Sequence, residues 1–437
     1  MTNTNKNQEA ILNKLGIEHL NQMQEDAYKA ILSKSEIVLL SPTGTGKTLA
    51  FLLPILTELD INSNKIQVLI VVPSRELALQ IEQVVRDMGS GFKTNAVYGG
   101  RAGSKDKMEL KHPPAILIGT PGRLADHIRR HIINIEGIKT LVLDEFDKSL
   151  EIGFENEMRE ILEALSSIKK KILTSATQKV AIPSFIRLQN PHRLNYLSQE
   201  INQLKLKTII ANSKDKLDTL EALLGHIGKG NGIIFCNLKD TIEEVSDFLY
   251  KKNISHGCFY GGLEQLDRER ALIKFRNGTY QLLLATDLAA RGIDVPEMDF
   301  IIHYELSIKK DEFIHRNGRT ARMNSNGTAY ILKLKNELLP EFVEGSEIEE
   351  IKSITPIAKS KWETLYISGG RKDKISKGDI AGLFFKQGAL LKDELGSIEL
   401  KHDCAYVAVP KSKSKKLSEQ LNNCVLKKKK VRISILN

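Results

Sequence analysis

The segment SPTGTGKT, residues 41–48, places two glycines, a lysine and a threonine between an apolar run and an apolar helical pattern. Gly44 and Gly46 would let backbone N–H groups close on phosphate oxygens. Lys47 would add a point charge at the β- and γ-phosphates, and Thr48 would offer a hydroxyl to Mg2+. Thr43 and Thr45 share the loop and count with it as nucleotide-binding candidates, while Ser41 stands where the strict pattern has glycine. A second group lies in LVLDEFDKSL, residues 141–150, where three apolar residues run into Asp144, Glu145 and Asp147 with Phe146 among them. In a parallel sheet, ligands sit at the carboxyl ends of strands, which predicts Asp144 and Glu145 beside the glycine loop. Asp144 would then hold Mg2+ through water, and Glu145 would orient and deprotonate an attacking water. A third group is HRNGRTAR, where His315, Arg319 and Arg322 are spaced 0, 4 and 7 and would share one helix face. Two arginines projecting together would reach a γ-phosphate and stabilise its transition-state charge. Taken alone, each group has a plainer alternative: a glycine turn, an acidic strand end, a solvated basic face.

These residues need a scaffold of strand ends. Apolar runs fall at 36–41, 67–73, 115–121, 140–145 and 171–177, and again at 232–237, 280–286 and 298–305, separated by longer helical patterns. Continuous apolar strands alternating with helices indicate parallel sheets covered on both faces. The polar stretch SQEINQLKLK, residues 198–207, separates the two series as an interdomain linker. A charged stretch, 336–353, leads to a third unit, which reads strand 363–368, helix 378–387, strands 396–400 and 404–409, helix 412–422 and strand 425–436. That order, β-α-β-β-α-β, is typical of small split-βαβ folds. The expected fold is therefore α/β: two parallel-sheet domains over 1–200 and 206–350, followed by a small α+β domain over 360–437.

Composition bounds the function. The 437 residues exceed one ordinary core, and the apolar runs are far short of a membrane span. The start, MTNTNKNQEA, lacks the apolar segment of a secretory signal, and the four cysteines are scattered without CxxC pairs. Neither a disulfide framework nor structural zinc is expected, and a reducing cytoplasm fits. Residues 355–437 hold 18 Lys+Arg against 8 Asp+Glu, whereas residues 1–354 hold 46 of each. The whole basic excess lies in the last fifth of the chain, a field suited to nucleic acid or another polyanion.

In this order the motifs resemble those of the DEAD-box RNA helicases, and the match spans residues 16–335. GIEHLNQMQEDA resembles the adenine-reading segment, with Gln24 in the glutamine position. PSRELA, GG and TPGR resemble RNA-backbone contacts, which implies roles for Arg75, Gly100, Thr120 and Arg123. SAT (175–177) resembles the element linking hydrolysis to strand separation, so Ser175 and Thr177, with Asp147 and His315, are coupling candidates. IIFCN, QLDR, ATDLAARGIDVP and HRNGRTAR follow in turn. They imply Asp287 and Gly292 at the nucleotide, Arg268 and Thr286 at RNA, and Arg319 and Arg322 as arginine fingers that act when two RecA-like domains close. The chain departs from the family in lacking an aromatic within residues 1–15, in Ile17, and in LNQ (20–22) where Pro-Thr-Pro is usual. The expectation is looser nucleotide selectivity, resting more heavily on Gln24.

The third unit resembles the RNA-binding domain of DbpA-type DEAD-box proteins, most closely in TLYISGGRKDKISKGDI (364–380), with AYVAV and KKKKVRISIL after it. Its GGRKDK turn would present Arg371, Lys372 and Lys374 to phosphates or a base edge. Tyr366 and Tyr406 are candidates for base stacking or, more simply, for core packing. The resemblance implies an RNA-dependent ATPase and helicase with two RecA-like domains and an RRM-like tail. It also implies Mg2+ with ATP as substrate, large-subunit ribosomal RNA as target in ribosome assembly, and a cytoplasmic monomer. An ATP-gated RNA clamp and a DNA translocase are the rival readings. Phe146, in a DEAD position that reads D-E-F-D, is expected to fill apolar space beside the phosphate-loop helix. Along an extended chain it would share a side with Asp144, opposite Glu145 and Asp147.

Overall fold

The computed structural model describes residues 8–151, 153–177, 182–197, 204–211, 216–287, 295, 298–320, 327–343, 345–352 and 355–436. The chain divides near residue 202 into two compact units. In the first, seven strands form a sheet in the order Thr94–Val97, Ile116–Gly119, Val68–Val71, Thr140–Leu143, Lys170–Ser175, Glu36–Leu40, His192–Asn195. All six neighbouring pairs are parallel. Side chains alternate across a strand, so consecutive residues feed two cores. Ile37, Leu39 and Val142 pack with the helices Gln22–Ser33, Lys47–Glu58 and Arg75–Met88. Val38, Leu40, Leu141 and Leu143 pack on the other face with Leu124, Met158 and Ile161. Burial on both faces is the reason these strands read as unbroken apolar runs.

Two expectations about the DEFD segment change. The strand stops at Leu143 and, after only two intervening residues, a helix starts, Phe146–Glu151, so the acids do not alternate along an extended chain. Phe146 is buried, at 2% exposure, but in the core on the sheet face away from the phosphate-loop helix. The tight strand-to-helix turn causes both, and it sets Glu145 at φ 49, in the left-handed region.

In the second unit, seven strands run in the order His256–Phe259, Leu282–Ala285, Gly232–Phe235, Phe300–His303, Gly327–Leu334, Leu204–Ala211, Glu347–Ile348, again all parallel. Leu204–Ala211 begins inside the expected linker. Its polar residues belong to a strand lying between two neighbours, so polarity misplaced the boundary. The tail forms an antiparallel sheet in the order Ile398–Leu400, Ala405–Pro410, Trp362–Ile367, Ile433–Ile435, with helices Lys377–Lys386 and Lys411–Leu421. The expected final strand over 425–436 is instead a small hairpin, Val425–Leu426 with Lys429–Lys430, followed by Ile433–Ile435. Lys427, at φ 58, turns the chain between the hairpin arms.

Candidate active site and RNA-contact residues

The phosphate loop follows the strand Glu36–Leu40, and Gly46 caps the helix Lys47–Glu58 at φ 85. A side chain at Gly46 would be strained, and its Cβ would stand 2.3 Å from the Gln24 amide nitrogen. Gln24 is buried there, its Nε2 donating to the Gly46 carbonyl at 3.3 Å. Asn21, within the atypical LNQ segment, accepts from the Gln24 N–H at 2.9 Å, and Gln24 Oε1 accepts from the Asn21 N–H at 3.0 Å. This capping box also ties Asn21 Nδ2 to the Thr45 carbonyl at 3.1 Å, joining the adenine-reading segment to the loop. Lys47 is buried and its Nζ donates to the carbonyls of Ser41 and Pro42, both at 2.6 Å. Thr45 Oγ1 donates to the Pro42 carbonyl at 2.9 Å and lies 2.8 Å from Ser41 Oγ. The hydroxyl of Ser41 therefore braces the loop where the strict pattern has glycine. Thr43 and Gly44 complete the turn, with Gly44 at φ 81, and Thr48 follows Lys47 in the helix.

Asp144 lies buried just beyond the strand Thr140–Leu143, which Lys170–Ser175 separates from the strand that carries the loop. Thr174 Oγ1 donates to its Oδ1 and accepts from the Glu145 N–H at 3.2 Å, so one hydroxyl touches both acidic positions. Burial pushes the Asp144 carboxyl up, opposed by the Thr174 hydrogen bond and the charge of Lys47. Asp147 is also pushed up by burial, opposed by buried Lys148 at 4.0 Å. Its Oδ2 accepts from Thr177 Oγ1 at 3.0 Å, and Ser175 Oγ accepts from the Thr177 N–H at 2.9 Å. The structure thus brings Asp147, Ser175 and Thr177 together. Thr174 and Lys148 were not singled out from sequence, although Thr174 directly precedes SAT. Asp144 and Thr48 would offer one carboxylate and one hydroxyl, a sparse oxygen set that fits Mg2+, which keeps several waters and takes phosphate oxygens.

In the second unit, Arg316 is the organising residue, and sequence reasoning passed over it. It is 1% exposed. Its Nε donates to Asp287 Oδ1 at 2.6 Å and its Nη2 to Asp287 Oδ2 at 2.5 Å. Further bonds reach the Glu305 carbonyl at 2.6 Å and Asn237 Oδ1 at 2.7 Å, with the guanidinium 5.0 Å from the Phe235 ring centroid. Asp287 is therefore held by a bidentate arginine. His315 and Arg319 are buried beside it, but the helix Lys310–Asn317 ends before Arg319. The shared helix face expected for positions 315 and 319 is not formed: Gly318 closes the helix, and the Arg319 carbonyl accepts from the Met298 N–H at 3.3 Å. Arg322 and Gly292 lie outside the described residues. His303, fully buried at a strand end, donates through Nε2 to Asn317 Oδ1 at 3.0 Å. Burial, then the charge of Arg316, pushes its pKa down to about 3, so it is neutral.

The RNA-contact candidates fall into three places. Arg75 opens the helix Arg75–Met88 and covers Gly100, where a Cβ would come within 2.4 Å of its Nη1. Thr120 opens the helix Pro121–Arg129, and Arg123 Nε donates to Asp106 Oδ2 at 2.8 Å. Asp106 has no exposed surface and also holds Arg101 at 2.9 Å and His127 at 2.9 Å. This acidic hub gave no sequence signal, since Asp106 sits in the unremarked helix GSKDKMEL. In the second unit Arg268 lies in the first turns of the helix Gln265–Arg276 with its guanidinium 4.9 Å from the Phe259 ring centroid, and Thr286 follows the strand Leu282–Ala285. In the tail, Arg371 turns inward and donates to the Leu400 carbonyl, while the exposed Lys372 and Lys374 point outward. Backbone bonds from Arg371 to Lys401 and from Lys372 to His402 fix that turn. Tyr406 is buried, and its ring centroid lies 5.8 Å from that of Tyr366.

Residues 21–183 match the DEAD/DEAH box helicase family, 215–324 the helicase conserved C-terminal domain, and 364–435 the DbpA RNA binding domain. ATP-dependent RNA helicase DbpA of Escherichia coli is 30% identical, over 97% of this chain and 96% of that protein. The Bacillus subtilis protein of the same description is 29% identical, again over 97% and 96%. Among solved structures, yeast Dbp5 bound to RNA and ADP BeF3 aligns over 74% of this chain and 86% of that one, with TM-score 0.67 and 27% identity. Mss116 bound to ssRNA and UDP-BeF aligns over 79% and 78%, with TM-score 0.68 and 25% identity. These likenesses span both sheets and the tail, so the chain is an RNA-dependent ATPase and belongs to the DEAD-box ATP-dependent RNA helicases of DbpA type.

Proposed function

We propose that this helicase remodels large-subunit ribosomal RNA during ribosome assembly in the cytoplasm, docking through residues 360–437 and unwinding nearby duplex with the two RecA-like domains. The observation that carries the reading is the coincidence of the DbpA-type tail with the entire basic excess of the chain. Lys372 and Lys374 supply phosphate contacts there, while Arg371 shapes the turn that presents them.

In the ATP site, Gln24 reads the base, Thr43 to Lys47 cradle the phosphates, and Thr48 and Asp144 hold Mg2+, which would neutralise developing phosphate charge. Glu145 orients and deprotonates the attacking water, and Arg319 and Arg322 stabilise the transition state. Asp287 and Gly292 also serve the nucleotide. Arg75, Gly100, Thr120, Arg123, Arg268 and Thr286 follow the RNA backbone. Asp147, Ser175, Thr177 and His315 couple hydrolysis to strand separation.

The test is ATP hydrolysis by the full-length protein with ribosomal RNA, unrelated RNA and DNA, repeated with Lys372→Glu/Lys374→Glu. Ribosomal RNA should stimulate best, and the double variant should lose that preference while keeping general RNA stimulation. Equal stimulation by all RNAs sinks the ribosomal target, and equal stimulation by DNA sinks the RNA assignment of the core contacts.

A further inference from the structure

The tail sheet has two faces with different fates. Leu365, Ile367, Ala405, Val407 and Val409 point into the tail's own core. The alternate positions Thr364, Tyr366, Glu399 and Tyr406 lie on the opposite face, in register across the strands (Tyr366 opposite Tyr406, Glu399 opposite Tyr406). In an RRM that face is the platform on which aromatics stack bases. Here the second RecA-like domain occupies it. Ile273, from the helix Gln265–Arg276, packs with Tyr406 and Leu436. Arg276, the last residue of that helix, grips Glu399 with Nη2 at 2.7 and 2.9 Å and Nε at 3.1 Å. The next turn adds Asn277 Nδ2 donating to Thr364 Oγ1 at 3.2 Å and Thr279 Oγ1 2.7 Å from the same oxygen, with Thr364 fully buried. Ser397 Oγ donates to Asn277 Oδ1, and Ser360 Oγ to the Gly278 carbonyl at 2.5 Å.

The helix that ends in this joint carries Arg268, an RNA-contact candidate, two turns earlier, about 12 Å along the axis. We propose that Arg276 and Glu399 are positioning residues. They lock the tail's sheet face onto this helix, so that RNA held by the tail meets Arg268 at a fixed spacing. The joint then sets which duplex, measured from the docked segment, is opened. Three features favour a rigid joint over a tether: the ion pair is bidentate, the polar groups around it are satisfied, and an apolar patch continues it. The tail thus recognises RNA through its turns and edges and spends its sheet on alignment. The proposal rests on the tail docking RNA, while the joint itself is testable without RNA.

The experiment uses the full chain with Arg276→Glu, Glu399→Arg and the double charge swap, and Glu399→Gln should a reversed charge prevent folding. The RNA probes are a fragment of large-subunit ribosomal RNA with duplexes placed at increasing nucleotide spacings from it. Wild type should unwind best at one spacing. Each single variant should bind the fragment within about twofold of wild type yet flatten the profile. The rate at the preferred spacing should fall roughly tenfold, equivalent to about 1.4 kcal/mol of lost alignment, and the double swap should restore the peak. A flat wild-type profile, single variants that keep the peak, or a swap without rescue overturns the proposal. Equal wild-type affinity for the fragment and unrelated RNA overturns the ribosomal target instead. In that case the joint is decided by spin labels encoded at the exposed positions Tyr250 and Lys416. Their distance distribution should be narrow in wild type, broad in Arg276→Glu and narrow again in the swap, and equal breadth in all three overturns the proposal.

Discussion

Arg316→Met tests whether the buried guanidinium holds the second domain together. The side chain is 1% exposed and makes four hydrogen bonds of 2.5–2.7 Å, two of them to the Asp287 carboxylate. Methionine keeps most of the volume but leaves the carboxylate, the Asn237 amide oxygen and the Glu305 carbonyl without their donor. Hydrogen bonds to a charged group contribute about 1.5–3 kcal/mol each, but a simple sum overshoots, because Asp287 keeps 18% side-chain exposure and regains some water. Breaking a buried pair by removing one partner costs about 3–5 kcal/mol, and the lower half of that range fits this partial exposure. Trp362, the only tryptophan, lies in the same unit and packs at the joint, where a Cβ on Gly278 would stand 3.3 Å from its Cδ1. Urea unfolding of the full-length protein followed by its fluorescence therefore reports this unit. With a slope of about 2–3 kcal/mol per molar urea, the midpoint should fall by on the order of 1–2 M. Adding Asp287→Asn should return part of the loss by removing the orphaned charge. A shift equivalent to under about 1 kcal/mol, or no recovery in the double variant, would refute the reasoning.

Phe146→Ala should destabilise the first domain by about 3–5 kcal/mol, the range for emptying a buried aromatic site, as read by chemical denaturation. A folded variant with little stability change and abolished ATPase would contradict that architectural role. His303 gives a pH signature. Its folded pKa, about 3, lies below the ordinary 6.5, so the unfolded state takes up the proton first. Stability is complete above pH 6.5 and is lost as pH falls toward 3, by up to about 4 kcal/mol. Urea midpoints across that window should flatten in His303→Gln. Gln24→Ala should relax discrimination between ATP and other nucleoside triphosphates in RNA-stimulated hydrolysis. Wild-type activity confined strictly to ATP, and lost in the variant, would count against the looser selectivity expected from the chain's atypical N-terminal segment.

The scaffold was legible because continuous apolar strands advertise burial on both faces. Runs such as QVLIVVP and GIIFCN became Val68–Val71 and Gly232–Phe235. Polarity hid Leu204–Ala211, whose lysines read as linker although Gly327–Leu334 pairs along its whole length. The phosphate loop and the acids beyond Leu143 were legible as local motifs, because each role is packed into a few consecutive residues. The partners that hold them were not. Thr174, Asp106, Asn237 and Arg316 act across 17 to 79 residues of sequence, and no local pattern marks such contacts. Phe146 was correctly read as buried but assigned to the wrong side of the sheet. Alternation assumes an extended chain, and the chain turns at Glu145.

That turn has a consequence for how the protein trades durability against work. Glu145 is held at φ 49, which an L-residue adopts at a cost of about 1–2 kcal/mol and glycine adopts freely. Selection for stability alone would favour glycine at this position. Glu145→Gly should make the first domain more robust, by about 1 kcal/mol after glycine's larger unfolded-chain entropy, while removing the carboxylate proposed as base. If Glu145 is the base proposed above, an acid kept where the backbone disfavours it is stability forgone for turnover. The most heat-resistant variants of this site are therefore expected among the inactive ones.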